Sequence, residues 1–315
     1  MFAIVIPFSR SMDDKGFFYI IPEKIKDDIK IGQIVKVPFG QDEILAIVLD
    51  IVGKTDIPED RLREILEITF NKPLINQNRG ELIKYISSHY YNLIHNSLAL
   101  FLPKNLRGKL EKNKLKLETK NTYNYSFNTN KALTAHQAEV LEKINNSNNN
   151  KILLFGVTGS GKTEIYVNLI KNALDENKQA LILVPEIILT SQIANYIKNV
   201  FGEDVIIITS DTSEAQKTKY FIDIEQNKAK IIIGTRSALF YPYDNLDIII
   251  IDEEHDDSYL SKDTPRYDGV LTAMKMSDIY NCRLLLASAT PKTTHLYKTN
   301  SGELELVNLI EEYKK

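Results

Sequence analysis

The 315-residue chain contains a single cysteine, Cys282. One thiol can neither close an internal disulfide nor form a cysteine-based zinc cluster, so the chain reads as intracellular and Cys282 as a small buried hydrophobe. Long hydrophobic runs are missing too. The apolar start from Met1 to Phe8 has no basic flank and meets charge at Arg10. The densest later run, Ile248 to Ile251, is of strand length, far short of the ~20 residues of a membrane-spanning helix. Neither leader nor membrane span is expected, and cytoplasmic placement is the default. No charge sign dominates: 39 basic against 42 acidic residues leave a formal net charge of -3, so a nucleic-acid-binding surface must be a local patch.

What is present is a globular balance. Apolar residues make up 43% and charged residues 26%, which excludes disordered, collagen-like and coiled-coil classes. The length allows about two domains. The first hundred residues carry β-like runs at Phe17–Ile21, Gln33–Val37 and Ile44–Ile51, separated by Pro22, Gly32 and Pro38-Phe39-Gly40. From Asn78 to Leu102 the spacing turns helical, with Leu82, Ile83, Ile86, Tyr90 and Leu93 on one stripe that stops at Pro103. This predicts a small α+β domain over residues 1–103.

Between Lys104 and Lys120 stand seven basic residues and two acids, the most positive stretch of the chain, followed by Asn/Thr/Tyr-rich sequence to Lys131. Residues 104–131 read as a solvated linker, with a nucleic-acid contact as the alternative. From residue 132 to 315 nearly continuous apolar runs alternate with helical spacing: Ile152–Phe155, Ala180–Val184, Val205–Ile208, Ile231–Ile233, Ile248–Ile251 and Leu284–Ala287. Such runs suit strands buried on both faces, and the alternation predicts a doubly wound α/β domain with a parallel sheet.

Glycine is scarce, 13 in the whole chain, yet Gly156, Gly159 and Gly161 cluster in Gly156-Val157-Thr158-Gly159-Ser160-Gly161-Lys162-Thr163. The spacing is that of a phosphate-binding loop, preceded by a strand and followed by a helical run, as the motif requires. Its backbone amides would wrap phosphate oxygens at a helix N-terminus, Lys162 would bridge β- and γ-phosphates, and Thr163 would offer a hydroxyl to Mg²⁺. The strand Ile248–Ile251 ends in Asp252-Glu253-Glu254-His255. Acids at the C-terminal edge of a buried strand lie where open α/β sheets bind ligands. Asp252 would complete the Mg²⁺ shell and Glu253 would deprotonate an attacking water, which points to ATP hydrolysis. Asp256 and Asp257 read as caps of the following segment.

These residues bear a family resemblance. The chain resembles the N-terminal half of PriA-type replication-restart DNA helicases, superfamily 2 motors. Gly156 to Glu164 resembles the family's Walker A stretch, and Ile251 to Asp256 its Walker B. Val184-Pro185-Glu186-Ile187 with Leu189-Thr190 and the run Gly234 to Phe240 resemble two further motifs, of higher specificity. Pro265-Arg266-Tyr267 is similar to its aromatic-rich loop and Ser288-Ala289-Thr290-Pro291 to its motif III.

The resemblance implies a RecA-like lobe over residues 132–315, behind a DNA-binding domain for the 3′ end of a nascent strand. It implies that Gln137 reads adenine, its amide offering a donor and an acceptor; a solvated helix start is the alternative. Thr190, Gly234, Thr235, Arg236 and Ser237 would contact the single-strand backbone, and His255, Ser288 and Thr290 would couple nucleotide state to DNA grip. In the N-terminal domain the matching pieces are Tyr19-Ile20-Ile21-Pro22, Val37-Pro38-Phe39-Gly40 and His89-Tyr90-Tyr91 through Leu102-Pro103.

The chain departs from the family at three points. Phe18 stands where the family places an acid that binds a terminal hydroxyl. The roughly 30 residues between Pro103 and Leu133 are too few for a winged-helix module. The chain stops soon after Thr290, so a second lobe, its arginine finger and the zinc-binding cysteines have no counterpart here. The expected function is that of an ATP-dependent 3′-to-5′ DNA helicase of primosome assembly at stalled forks, represented by its DNA-binding domain and first lobe. ATP and Mg²⁺ are the implied cofactors, zinc being expected only in a complete family member. Forked or single-stranded DNA, replication-restart proteins and single-strand-binding proteins are the implied partners, at the nucleoid and without membrane. A fork- or partner-binding module without motor activity is the main alternative, and a metabolic P-loop kinase a weaker one.

Overall fold

A computed structural model of the chain describes residues 1–8, 16–112, 123–129, 131–186 and 193–310. They form two compact units, one of residues 1–117 with 262–267, the other of residues 118–261 with 268–315.

The larger unit is built on a seven-stranded sheet in the order Glu305–Leu309, Lys151–Gly156, Arg283–Ser288, Leu246–Ile251, Gln179–Leu183, Ile231–Gly234, Ile206–Ile208. Every pairing is parallel. Residues Ala180–Leu183, Ile231–Ile233 and Ile249–Ile251 are fully buried, as unbroken apolar runs require when helices cover both faces. Helix Lys162–Asp175 contributes Ile165, Tyr166, Leu169, Ile170 and Ala173 to the same core. The register sets Phe155 against Ser288 and Ile251 against both Leu183 and Leu286. Three strand ends, Gly156, Ser288 and Ile251, therefore finish on one edge of adjacent strands.

The smaller unit has a six-stranded sheet in the order Arg63–Glu64, Phe17–Ile20, Phe2–Pro7, Asp42–Val52, Ile34–Phe39, Glu67–Phe70. Its pairings are antiparallel except the parallel edge pair Phe17–Ile20 with Arg63–Glu64. Ala3 and Val5, Val35 and Val37, Ala46 and Val48 put every second side chain into one core. Helices Gln77–His89 and Ile94–Leu100 bury Leu82, Ile83, Ile86, Ile94 and Leu98.

Sequence and structure differ in five places. The helical stripe from Asn78 to Leu102 is two helices: Tyr91 takes a left-handed φ of +53°, and Asn92 N turns back to Ser87 O at 3.0 Å. The strand Phe2–Pro7, an apolar run read only as not being a leader, pairs with two neighbours, and Glu305–Leu309 adds the seventh strand of the larger sheet. Residues 104–131 are not a featureless linker. Lys104–Glu111 is a helix that buries Leu106 and Leu110, and Ser126 N and Asn128 N donate to Phe201 O and Val200 O at 2.9 and 2.8 Å; Lys114, Lys116 and Lys120 lie outside the described residues. Residues 262–267 group with the smaller unit, where Asn92 Nδ2 donates to Arg266 O at 2.7 Å and Asn92 Oδ1 accepts from Arg266 N at 3.1 Å. Cys282 is buried, and no described helix is long and apolar enough to cross a membrane.

Candidate nucleotide-binding site

The loop after Lys151–Gly156 turns through Gly159 and Gly161, whose φ of +79° and +82° suit glycine, and enters helix Lys162–Asp175. At Gly161 a second constraint acts: a Cβ there would lie 2.2 Å from Gln137 Nε2. Gln137 is buried; its Nε2 donates to Ser160 O at 3.0 Å and its Oε1 accepts from Thr134 N at 3.0 Å, closing a capping box at the start of helix Ala135–Asn146. Gln137, expected to read adenine with a solvated helix start as the alternative, is thus not solvated: it is buried and braces the loop from behind.

Lys162 Nζ donates to Gly156 O at 2.9 Å and stands 3.8 Å from Glu253 Oε1. Asp252 is nearly buried, and its Oδ1 accepts from the Tyr166 hydroxyl at 2.7 Å. Burial pushes the Asp252 carboxyl above its usual range and the Glu253 carboxylate adds to this, while the Tyr166 hydrogen bond and the Lys162 charge oppose it. A buried carboxyl held this way gains most from a cation. Glu253 has a left-handed φ of +46°, a conformation that costs about 1–3 kcal/mol in a residue with a Cβ. His255 Nδ1 lies 2.8 Å from Ser288 Oγ and 3.6 Å from Glu253 Oε2, and Thr290 Oγ1 is 3.4 Å from the same ring. Ser288 Oγ also accepts from Thr290 N at 2.9 Å. The structure thus brings Lys162, Asp252, Glu253, His255, Ser288 and Thr290 to one sheet edge, with Thr163 on the first turn of the loop's helix.

These residues fit a nucleotide with its magnesium ion. Ser160 Oγ is buried without a partner and would be 3.1 Å from a Cβ at Gly156, so the loop holds an unused hydroxyl inside its cradle. Among the described residues no three His, Cys, Asp or Glu gather to hold a metal by themselves. Thr163 and Asp252 would offer the hydroxyl and carboxylate that Mg²⁺ accepts when phosphate oxygens and water complete its octahedron.

Further along the edge, Gly234 closes its strand. A Cβ there would meet Ala238 Cβ at 2.7 Å and Ile208 O at 2.8 Å, so close packing already calls for glycine. Thr235 is buried with Oγ1 3.3 Å from Ser237 Oγ, and Arg236 Nη1 donates to Ser258 O. Thr190 lies outside the described residues. Asp256 caps the turn Asp257–Tyr259 by accepting from Ser258 N at 2.7 Å.

Three residues of the site escaped the sequence reading. Tyr166 is a hydroxyl within the apolar face Ile165–Val167, and that polar atom was its only signal. Glu254 is fully buried, accepting from Lys292 N at 2.8 Å and lying 2.6 Å from His295 Nδ1. Nothing in the spacing links it to His295.

In the smaller unit, Tyr19 is a core residue whose hydroxyl donates to Pro38 O at 2.7 Å, and Phe17 meets Phe39 edge-on at 5.1 Å. Arg63 Nη1 donates to Gly40 O at 2.7 Å, so the first two N-terminal blocks converge with a guanidinium beside them. Tyr91 is almost fully exposed.

Comparison with known proteins follows the same division. The DEAD/DEAH box helicase family matches residues 134–298, just over half of the chain, and the 3′ DNA-binding domain (3′BD) family matches residues 3–103. Replication restart protein PriA of Rickettsia conorii is 36% identical over 299 residues, covering 94% of this chain and 44% of that protein. Its counterpart in Rickettsia felis is 37% identical over 296 residues, with the same 94% and 44% coverage. That of Bacillus subtilis is 39% identical over 170 residues, 54% of this chain and 21% of that protein. The chain spans less than half the length of these relatives, and it belongs to the DEAD/DEAH box helicase family, in its PriA-type group.

Proposed function

We propose that the chain is the DNA-binding domain and first ATP-hydrolysing lobe of a replication-restart DNA helicase, which in its entirety moves 3′ to 5′ on single-stranded DNA at stalled forks. The observation that carries this is the edge where Lys162 Nζ stands 3.8 Å from Glu253 Oε1 and His255 links Glu253 to Ser288. Lys162 leaves Gly156 O for the β- and γ-phosphates, and the amides of Gly159 and Gly161 line the phosphate path. Thr163 and Asp252 hold Mg²⁺, which supplies charge neutralisation at the phosphates. Gln137 keeps one amide hydrogen beyond its bond to Ser160 O for the adenine edge. Glu253 orients the attacking water and takes its proton.

His255, Ser288 and Thr290 report the occupancy of this site to the residues that contact the DNA backbone, Gly234, Thr235, Arg236 and Ser237, with Thr190, which lies outside the described residues, as a further contact. Of these, Arg236 trades its Ser258 carbonyl for a DNA phosphate. Forked or single-stranded DNA, replication-restart proteins and single-strand-binding proteins are the partners of this reading, at the nucleoid in the cytoplasm; the 3′ DNA-binding domain match over residues 3–103 supports the DNA.

ATP hydrolysis by the chain, compared with Lys162→Ala, tests the reading. The variant loses on the order of 10²-fold or more in rate, as when an electrostatic donor is removed from a transition state; an unchanged rate sinks the assignment. Fork binding that weakens as salt rises excludes a metabolic kinase. Fork binding with no hydrolysis in either protein would identify a binding module instead.

A further inference from the structure

The left-handed backbone of Glu253 is held between two fixed neighbours. Asp252 N donates to Leu183 O and Glu254 N to Ala287 O, both at 3.0 Å, so the two residues are tied to the strands on either side of Leu246–Ile251. Glu253 must cross between these anchors, which is where its φ of +46° arises. The Glu254 side chain is a third anchor, fully buried, with one oxygen on Lys292 N and the other on His295 Nδ1. A carboxylate oxygen only accepts, so Nδ1 carries the proton of this contact. His295 is itself 4% exposed and sits in the first turn of helix Thr293–Asn300. That helix begins directly after Ser288-Ala289-Thr290-Pro291, whose hydroxyls touch His255.

We propose that His295 is a positioning residue for ATP hydrolysis, donating from Nδ1 to Glu254 and so locking the turn that aims Glu253 at the attacking water. The inference rests on the reading of Glu253 as the water base. Without the donor, a buried carboxylate oxygen loses its partner, a costly state that Glu254 relieves by shifting toward water or another donor. The peptide joining Glu253 to Glu254 shifts with it. A misplacement of about 1 Å at a reacting group costs on the order of 10²-fold in rate. The phosphate loop lies on a different strand, so nucleotide affinity is retained.

The test compares His295→Leu with His295→Asn in the full chain. Both side chains branch at Cγ, but Asn presents an N–H one bond from Cγ, as Nδ1 does, and Leu presents none. Steady-state ATP hydrolysis, fluorescent-nucleotide binding and thermal melting are measured on each. His295→Leu lowers kcat by about tenfold or more with the ATP KM and nucleotide affinity within about twofold, the pattern of a lost transition-state contact. His295→Asn keeps kcat within about threefold of the original chain. Equal kcat for the Leu variant and the original, or equal losses in Leu and Asn variants that are both folded, overturns the positioning role. Should the Leu variant fail to fold, the Asn variant decides: a tenfold loss in folded protein overturns the proposal. An original chain that binds ATP without hydrolysing it overturns the functional reading, and the positioning role with it. Active original and Leu proteins of equal rate overturn the positioning role alone.

Discussion

The two units use their sheets in opposite ways. In the larger one, parallel strands are buried on both faces, and the chemistry is displaced to the loops at their C-terminal ends, where Lys162, Asp252, Glu253 and Ser288 meet. In the smaller one, antiparallel strands alternate, aromatic residues such as Tyr19 are spent on the core, and close backbone passages hold the layers together. An interior sheet concentrates function at an edge because its strand sides have no free surface. An alternating sheet keeps its shape through turns and cross-strand pairs.

This contrast can be broken by substitution. Ile182→Ala, in the middle of a fully buried strand, should destabilise the larger unit by about 2–5 kcal/mol, read by chemical denaturation; a loss near zero would mean the strand is not enclosed. Gly32→Ala should cost the smaller unit about 3 kcal/mol, because its Cβ would lie 1.8 Å from Ile75 O at a φ of +84°. Gly40→Ala, with φ +64° and nothing within 4 Å, should cost only about 1 kcal/mol. Equal losses at the two glycines would remove the close passage from the account.

Cys282 sharpens the picture of the larger core. Burial, with the Asp247 carboxylate adding to it, pushes its thiol up to about 12 from an ordinary value near 9. The folded state therefore keeps a proton that the unfolded state releases, so this contribution is full below pH 9 and is lost as pH rises toward 12. Alkylation at neutral pH should proceed only on unfolding; rapid labelling of the native chain would show the core is open there.

Much of this was legible in the sequence, and the rest was hidden for physical reasons. The runs Ile152–Phe155, Ala180–Val184 and Ile248–Ile251 announce buried parallel strands because nothing polar interrupts them. Glu305–Leu309 escaped because Glu305 and Asn308 interrupt its apolar residues, and as an edge strand beside Lys151–Gly156 it buries only Val307 and Leu309. The helical stripe Asn78–Leu102 conceals its break because Tyr91 adopts a left-handed backbone that its residue type does not advertise. The loop Gly156–Thr163 and the acids Asp252 and Glu253 stand out because phosphate binding needs contiguous residues. The pairs Tyr166 with Asp252 and Glu254 with His295 join positions 86 and 41 residues apart, and only the fold brings them together.

The most direct test of the central claim, that the nucleotide edge and the DNA-binding face belong to one motor lobe, is the rate of ATP hydrolysis with and without forked DNA, at fixed salt. The account predicts that forked DNA raises the rate of the chain severalfold and that Arg236→Ala abolishes the rise while leaving the DNA-free rate unchanged. Equal rates with and without DNA would contradict it.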